Sequence, residues 1–358
     1  MKSGDSMKKQ LIEYINKKPL KMISYDEYMD FVLYHPCFGY YMKNREKIGR
    51  NGDFITSSNI SNVMGKTFAK WFAGLVKEQK VSPHFCEIGA GNGRFAHAFL
   101  SEWYASDNPK LTYTIIEKSP YHIKLQKEKF KEEWFIQYIE DLTELKNYNG
   151  LMFSNELFDA LPVHVVTKQK GHLYEVMVTV EKGELVETTS PLSNHKITSF
   201  LKEHKVAIPE GHRIEIPLYM EDVFLKMERA LSKGMIVTID YGYSNEEWQE
   251  PVRKDGSLRG YYKHELIRNV LEHPGEMDIT SHIHWDALMN LGNKYRIHTI
   301  EKKRQDEFLL SIGILDQLVN HQDPNPFSEV NKQNRAIRSL IMPSGMSPSF
   351  HVLVQLKA

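Results

Sequence analysis

The 358-residue chain sets 46 lysines and arginines against 46 aspartates and glutamates, a formal net charge of zero. That balance argues against bulk nucleic-acid binding, whose affinity comes largely from phosphate contacts made by a basic excess. Only two cysteines occur, with no CxxC pair, and this rules out a disulfide framework or zinc knuckle.

Met1 to Leu20 mixes charges of both signs and carries no secretory apolar region. No apolar run approaches the ~20 residues that cross a bilayer. A cytoplasmic globular protein is expected.

In chain order, residues 8–80 read mainly as helix, with apolar residues three to four apart at Leu11-Ile12-Tyr14-Ile15, Tyr28-Phe31-Val32-Leu33 and Phe68-Trp71-Phe72-Leu75. The aromatic residues of the first helices are most simply core. Between the second and third helices, His35 to Ser58 is glycine-rich and polar. A loop of that length is often functional, and Asp53 and Phe54 in it are expected to close over a cofactor as a lid.

From residue 81 the texture alternates. His84 to Ile88 reads as a strand, Gly89 to Gly93 as a turn and Arg94 to Trp103 as a helix. Leu111 to Glu117 is strand-like, Pro120 to Phe130 helical, and Leu151 to Ser154 a further apolar strand. Alternation of this kind predicts a parallel sheet with helices on both faces. Val163 to Thr189 then reads as antiparallel hairpins turning at Lys170-Gly171 and Lys182-Gly183, followed by helix 197–205 and strand 213–216. Helix 220–231 and strand 235–240 resume the alternation, so residues 163–218 are expected to be an α+β insertion between the fourth and fifth strands. Strand 295–301, helices 305–318 and 329–342, and a last strand 350–356 follow. A final strand returning to the sheet suits a seven-stranded, Rossmann-like class I methyltransferase sheet. The expected division is a helical region over 1–80 and a core over 81–358, interrupted by a substrate-side subdomain at 163–218.

Glu87-Ile88-Gly89-Ala90-Gly91-Asn92-Gly93 carries the most chemistry. Glycines let backbone pass close under a ligand, and the following helix N-terminus offers free N–H groups. The dinucleotide fingerprint needs a third small residue, where this chain has Arg94. Glu87 ends the first strand, where a sulfonium and an amino group would be favoured and a pyrophosphate would not. S-adenosylmethionine is therefore the expected cofactor. Glu87, Gly89, Ala90, Gly91 and Gly93 would cradle it, and Glu117, with Lys118 beside it, would take the ribose hydroxyls. Asp141 and Leu142 would lie by the adenine.

With these residues in hand, the chain resembles the MidA family of S-adenosylmethionine-dependent methyltransferases, whose mitochondrial members are implicated in complex I assembly. The resemblance runs over nearly the whole chain. It rests on His35-Pro36 with Gly39-Tyr40-Tyr41, on Gly52 to Ser57, on the glycine loop and on Ser154 to Pro162. Asp240-Tyr241-Gly242-Tyr243, Gly256 to Arg259, Tyr261 to His264 and Pro274 to His282 add to it. It implies protein arginine methylation in the mitochondrial relatives. The family usually continues Thr56-Ser57 with Pro-Glu, and this chain has Ser58-Asn59, which puts substrate choice in question.

Asn155, Glu156 and Asp159 follow the fourth strand at the carboxyl edge of the sheet, where open α/β sheets bind ligands. Glu156 and Asp159 could grip a planar guanidinium and Asn155 could orient the nucleophile or touch the cofactor. Asp159 reads equally as a helix-capping or loop acid. His282, in an H-x-H with His284, reads as lining the acceptor cleft; no metal is expected, since a site would need further ligands. The expected partner is a protein acceptor, with no membrane span and with self-association into a homodimer left open. Two alternatives stand beside this reading: a cofactor-binding assembly factor without turnover, and a nicotinamide-dependent oxidoreductase.

Overall fold

The computed structural model describes residues 3–47, 62–320, 323–342 and 349–358. Its main sheet has seven strands in the spatial order β4-β3-β2-β5-β10-β17-β16, with β2 His84–Ile88, β3 Thr112–Ile116, β4 Ile136–Ile139, β5 Tyr148–Asn155, β10 Leu231–Asp240, β16 His298–Arg304 and β17 His351–Lys357. The first five pair in parallel, and β17 runs antiparallel between β10 and β16. This is the expected class I methyltransferase sheet.

Successive residues of a strand face opposite sides of the sheet, and the sequence exploits this on every central strand. Phe85, Phe153, Val237 and Val352 enter one core, with Phe68, Phe72 and Phe99. Their neighbours Cys86, Met152, Ile236 and Leu353 enter the other, with Phe224 and Leu288. Strands buried on both faces read as continuous apolar runs because helices cover both sides.

The N-terminal helices divide between two bodies. Helix α3 (Val63–Lys77) packs on the main sheet through Phe68 and Phe72. Helices α1 (Ser3–Lys17) and α2 (Tyr25–Tyr34) instead share a third core, through Leu11, Tyr28 and Val32, with Val165 and Val178 of the insertion. The insertion forms its own antiparallel sheet from β6 (His164–Gln169), β7 (His172–Glu181), β8 (Glu184–Pro191) and β9 (Arg213–Ile216). Its two hairpins turn at the expected dipeptides, where Lys170, Gly171, Lys182 and Gly183 all have positive φ, the geometry of tight two-residue hairpins. The N-terminal strand β1 (Met22–Ser24) adds to β7, a pairing that helical periodicity over residues 8–80 could not reveal.

Two further differences from the sequence reading have local causes. The helix expected over 305–318 stops at Ser311 and continues as a 3₁₀ turn over Ile314–Gln317, because Gly313 between them sits at φ 87°. A small sheet of β12 (Arg259–Tyr262), β13 (Glu265–Ile267) and β14 (Asp278–Thr280) was not anticipated, and beside it β11 (Gly242–Tyr243) pairs in parallel with β15 (Ile283–His284). Among the described residues, no helix is long and apolar enough to cross a membrane.

Candidate active site

The connections reverse direction at β2, which has β3 on one side and β5 on the other. Such a point opens a crevice at the carboxyl ends of the strands. Here a cavity of about 750 Å³ reaches from the glycine loop to the ends of β5 and β10.

One half of the cavity is built locally. Gly89, Gly91 and Gly93 all adopt positive φ, 76°, 53° and 70°, conformations that cost other L-residues about 1–2 kcal/mol each. Gly89 and Gly91 line the cavity with Ala90. Gly93 does not line it; it sits behind, at the N-cap of the helix Arg94–Tyr104, where a Cβ would stand 2.7 Å from Gln126 Cγ. Of the expected cradle residues it is thus the one that stands behind the loop rather than along the cavity.

The Glu117 carboxylate accepts the Gly91 N–H at 2.9 Å and the Ser119 N–H at 2.8 Å, which fixes it at the end of β3 beside the loop. Glu87 is fully buried and accepts the Tyr113 hydroxyl at 2.6 Å. Burial pushes its carboxyl up to about 8, with the nearby Glu117 charge adding to the rise and the Tyr113 bond opposing it. Lys118, Asp141 and Leu142 complete this side. Asp141 is bonded to Thr143 N–H and to Lys226 at 2.8 Å, and these bonds hold its carboxyl down at about 2.

The other half gathers residues from distant parts of the chain. Glu156 leaves β5 at φ 53°, and Asn155 Nδ2 donates to its carboxylate at 3.0 Å. Asp159 is buried and accepts the Tyr241 hydroxyl at 2.5 Å. Burial raises its carboxyl to about 6, against the Tyr241 bond. Opposite, the Tyr41 hydroxyl donates to Asp278 at 2.5 Å, and Tyr34, stacked on Tyr41 at 5.4 Å, donates to Ala160 O. The His282 ring is stacked on Tyr243 at 4.4 Å, and burial, then the Arg259 and Arg253 charges, lower it to about 3. It is neutral throughout the physiological range.

The cavity therefore brings together Glu87, Gly89, Ala90, Gly91, Glu117, Lys118, Asp141, Leu142, Asn155, Glu156, Asp159 and His282. Asp53 and Phe54 lie outside the described residues. The H-x-H pair is split, since His284 is buried away from the cavity, bonded to Glu215 O at 2.7 Å and stacked on Trp248. Away from the cavity, Asp26, His164 and Glu175 offer ligand atoms within 4.8 Å of one another, a grouping not visible in the sequence. His164 Nδ1 there lies 2.7 Å from Glu175 and 3.2 Å from Asp26, whose buried Oδ1 makes no hydrogen bond among the described residues.

Sequence reasoning missed Tyr34, Tyr41, Tyr241, Arg259 and Asp278 in the cavity wall. Tyr25 and Tyr28 of α2 are core as expected, but Tyr34 at its end faces the cavity. A signal existed: all except Tyr34 belong to blocks that carry the family resemblance.

Residues 65–301 match a family model described as S-adenosyl-L-methionine-dependent methyltransferase. Among curated relatives, the mitochondrial protein arginine methyltransferase NDUFAF7 of Rattus norvegicus is 24% identical, over 93% of this chain and 81% of its own length. Its Drosophila melanogaster homologue is 27% identical over 83% and 74%. A crystal structure from Burkholderia thailandensis bound to S-adenosyl-homocysteine superposes with a TM-score of 0.89 at 25% identity, covering 99% of this chain and 92% of that one.

Proposed function

This chain belongs to the S-adenosyl-L-methionine-dependent methyltransferase family, and from that premise we propose that it methylates an arginine side chain of a protein acceptor. The observation that carries the acceptor is the composition of the far wall. Glu156, Asp159 and Asp278 stand there among the rings of Tyr34, Tyr41 and Tyr241, a setting suited to a planar cation that pairs with carboxylates and lies against aromatic faces. The names of the mitochondrial relatives support the same acceptor.

The near half fits the cofactor. Positive-φ glycines leave room for close approach, Glu117 is pre-oriented for a diol, and Glu87 offers a buried carboxyl to a cation. Bound there, S-adenosylmethionine supplies an electrophilic methyl group on a sulfonium. The chain's own residues then supply position and charge. Glu156 and Asp159 hold the guanidinium with one nitrogen toward the cofactor side, and Asn155 fixes the Glu156 carboxylate. As the nitrogen gains its methyl group it loses a proton, and Asp159 is placed to take it up.

The reading is tested by incubating the protein with methyl-labelled S-adenosylmethionine and arginine-containing peptides or a cell extract. Label is expected in methylarginine after acid hydrolysis of the proteins. Label confined to another residue type or to small molecules overturns the acceptor. We also propose a cytoplasmic setting, supported by a cysteine usage of only two residues and tested by cell fractionation.

A further inference from the structure

We infer that Asp240 is the positioning residue of the acceptor wall, holding Asp159, Tyr241 and the turn after β5 as one unit. The inference rests on reading Asp159 as an acceptor-facing carboxyl. Asp240 is the last residue of β10, fully buried, and is not part of the cavity lining.

Its hydrogen bonds reach the turn after β5 and the residue that follows β10. Oδ2 accepts the N–H groups of Phe158 at 3.0 Å and Asp159 at 3.3 Å, and Oδ1 accepts that of Tyr241 at 2.9 Å. The neighbouring Ile239 carbonyl accepts the Glu156 N–H at 2.9 Å, securing a residue held at a φ that L side chains rarely adopt. Tyr241 then passes the registration outward. Its hydroxyl donates to Asp159, its ring meets His282 edge-on at 4.8 Å, and its carbonyl accepts the Ile283 N–H at 3.1 Å. The Asp159 carbonyl accepts the Ser281 N–H at 2.9 Å. Glu156, Asp159 and the loop bearing His282 are thus all referenced to Ile239, Asp240 and Tyr241.

The same arrangement sets the charge of the wall. Among the described residues, neither Asp159 nor Asp240 is ion-paired with a lysine or arginine. Two adjacent buried carboxyls resist ionising together, and burial followed by the Asp159 charge pushes Asp240 up. Asp159, raised to about 6, is therefore the member that ionises first, while Asp240 keeps its proton and holds the turn through the N–H groups on both of its oxygens. Facing the pair are Glu156, Tyr34, Tyr41, Tyr261, Asp278, His282 and Arg259. An incoming cation would complete the charge balance on one side of this pair.

The test compares full-length wild type with Asp240→Asn and Tyr241→Phe in three measurements. Calorimetric affinity for S-adenosyl-homocysteine should stay within a few-fold of wild type in both variants. With an arginine peptide and S-adenosylmethionine, kcat/KM of Asp240→Asn should fall by at least about tenfold, the scale of misplacing a reacting group. The acid limb of its rate profile should move to lower pH, because loosening the turn lets water reach Asp159 and relieves the burial that raises its carboxyl. Tyr241→Phe removes a hydrogen bond that favours ionised Asp159, so its limb should move the opposite way, and it serves alone where Asp240→Asn does not fold. The third measurement needs no acceptor. A carboxyl whose pKa is raised by folding loses its stabilising contribution as pH climbs through that pKa, so the Tm of Asp240→Asn should gain on wild type between pH 5 and 7.

A slower variant with unmoved acid limb and a pH-independent Tm difference overturns the inference and leaves Asp240 merely structural. Parallel loss of S-adenosyl-homocysteine affinity also overturns it. If wild type fails to methylate arginine, the proposed acceptor falls, while the affinity and Tm measurements still decide the role of Asp240.

Discussion

Glu117 and Asp159 stand in the same cavity under opposite conditions. The Glu117 carboxylate is held by two backbone N–H groups, one from the glycine loop and one from two residues along the chain. Asp159 is buried, accepts a tyrosine hydroxyl from 82 residues away and lies beside a second carboxyl. The first arrangement is complete once a strand, a turn and a helix have formed. The second exists only after β5, β10 and the loop before β15 (Ile283–His284) have met. The pocket thus pairs a locally built half, prepared for a cofactor, with a half assembled over long range, prepared for an acceptor.

The sharpest break between the halves is expected from Glu156→Gln and Asp159→Asn. Each should lower methyl transfer by two or more orders of magnitude, a rough figure for lost alignment and charge at the reacting atoms, with cofactor affinity within a few-fold by calorimetry. Full activity in both would make these acids structural. On the other side, Glu117→Ala should weaken cofactor binding by about 1.5–3 kcal/mol, the scale of losing hydrogen bonds to a charged group. Unchanged affinity in a folded variant would remove Glu117 from the binding role.

A smaller effect concerns pH. Folding raises the Glu87 carboxyl to about 8, so it is mostly protonated at pH 7 and ionises as pH rises. A cationic ligand favours the ionised form. Affinity for S-adenosylmethionine should therefore increase by about tenfold from pH 7 to 9, one pKa unit being a factor of ten, and S-adenosyl-homocysteine, which lacks the sulfonium charge, should gain less. Glu87→Gln should flatten both curves. The smallest effect is on stability alone: Gly93→Ala should cost about 1–2 kcal/mol, read as a lower Tm, because Gly93 sits at φ 70° with Gln126 and Phe130 where a Cβ would go.

This contrast also explains what the sequence disclosed. The main sheet was legible because each central strand is an apolar run ending in a turn or an acid. The glycine loop was legible because its residues are contiguous and its two acids end adjacent strands. Strand β1 was hidden by its three-residue length between helices, and the pairing that defines it lies with Val178, in the insertion. The Tyr41–Asp278 contact joins residues 237 apart, and no periodicity encodes such a distance. Tyr34 looked like core because it continues the apolar rhythm of α2, and only the packing of that helix on the insertion turns its end toward the cavity.

Strand β17 is made after every other strand of the main sheet, yet it occupies an interior place between β10 and β16. During synthesis β10 must therefore wait with one edge unpaired, while β2, β3, β4 and β5 can already associate. Pairing partners distant in the chain form late, and exposed edges invite wrong partners in the interval. Asp240 pairs with His351 at the very end of β10, and Phe350 contributes to the cavity wall. A nascent chain would accordingly possess a place for the cofactor before it possesses a finished place for the acceptor, and competence to bind would precede competence to react.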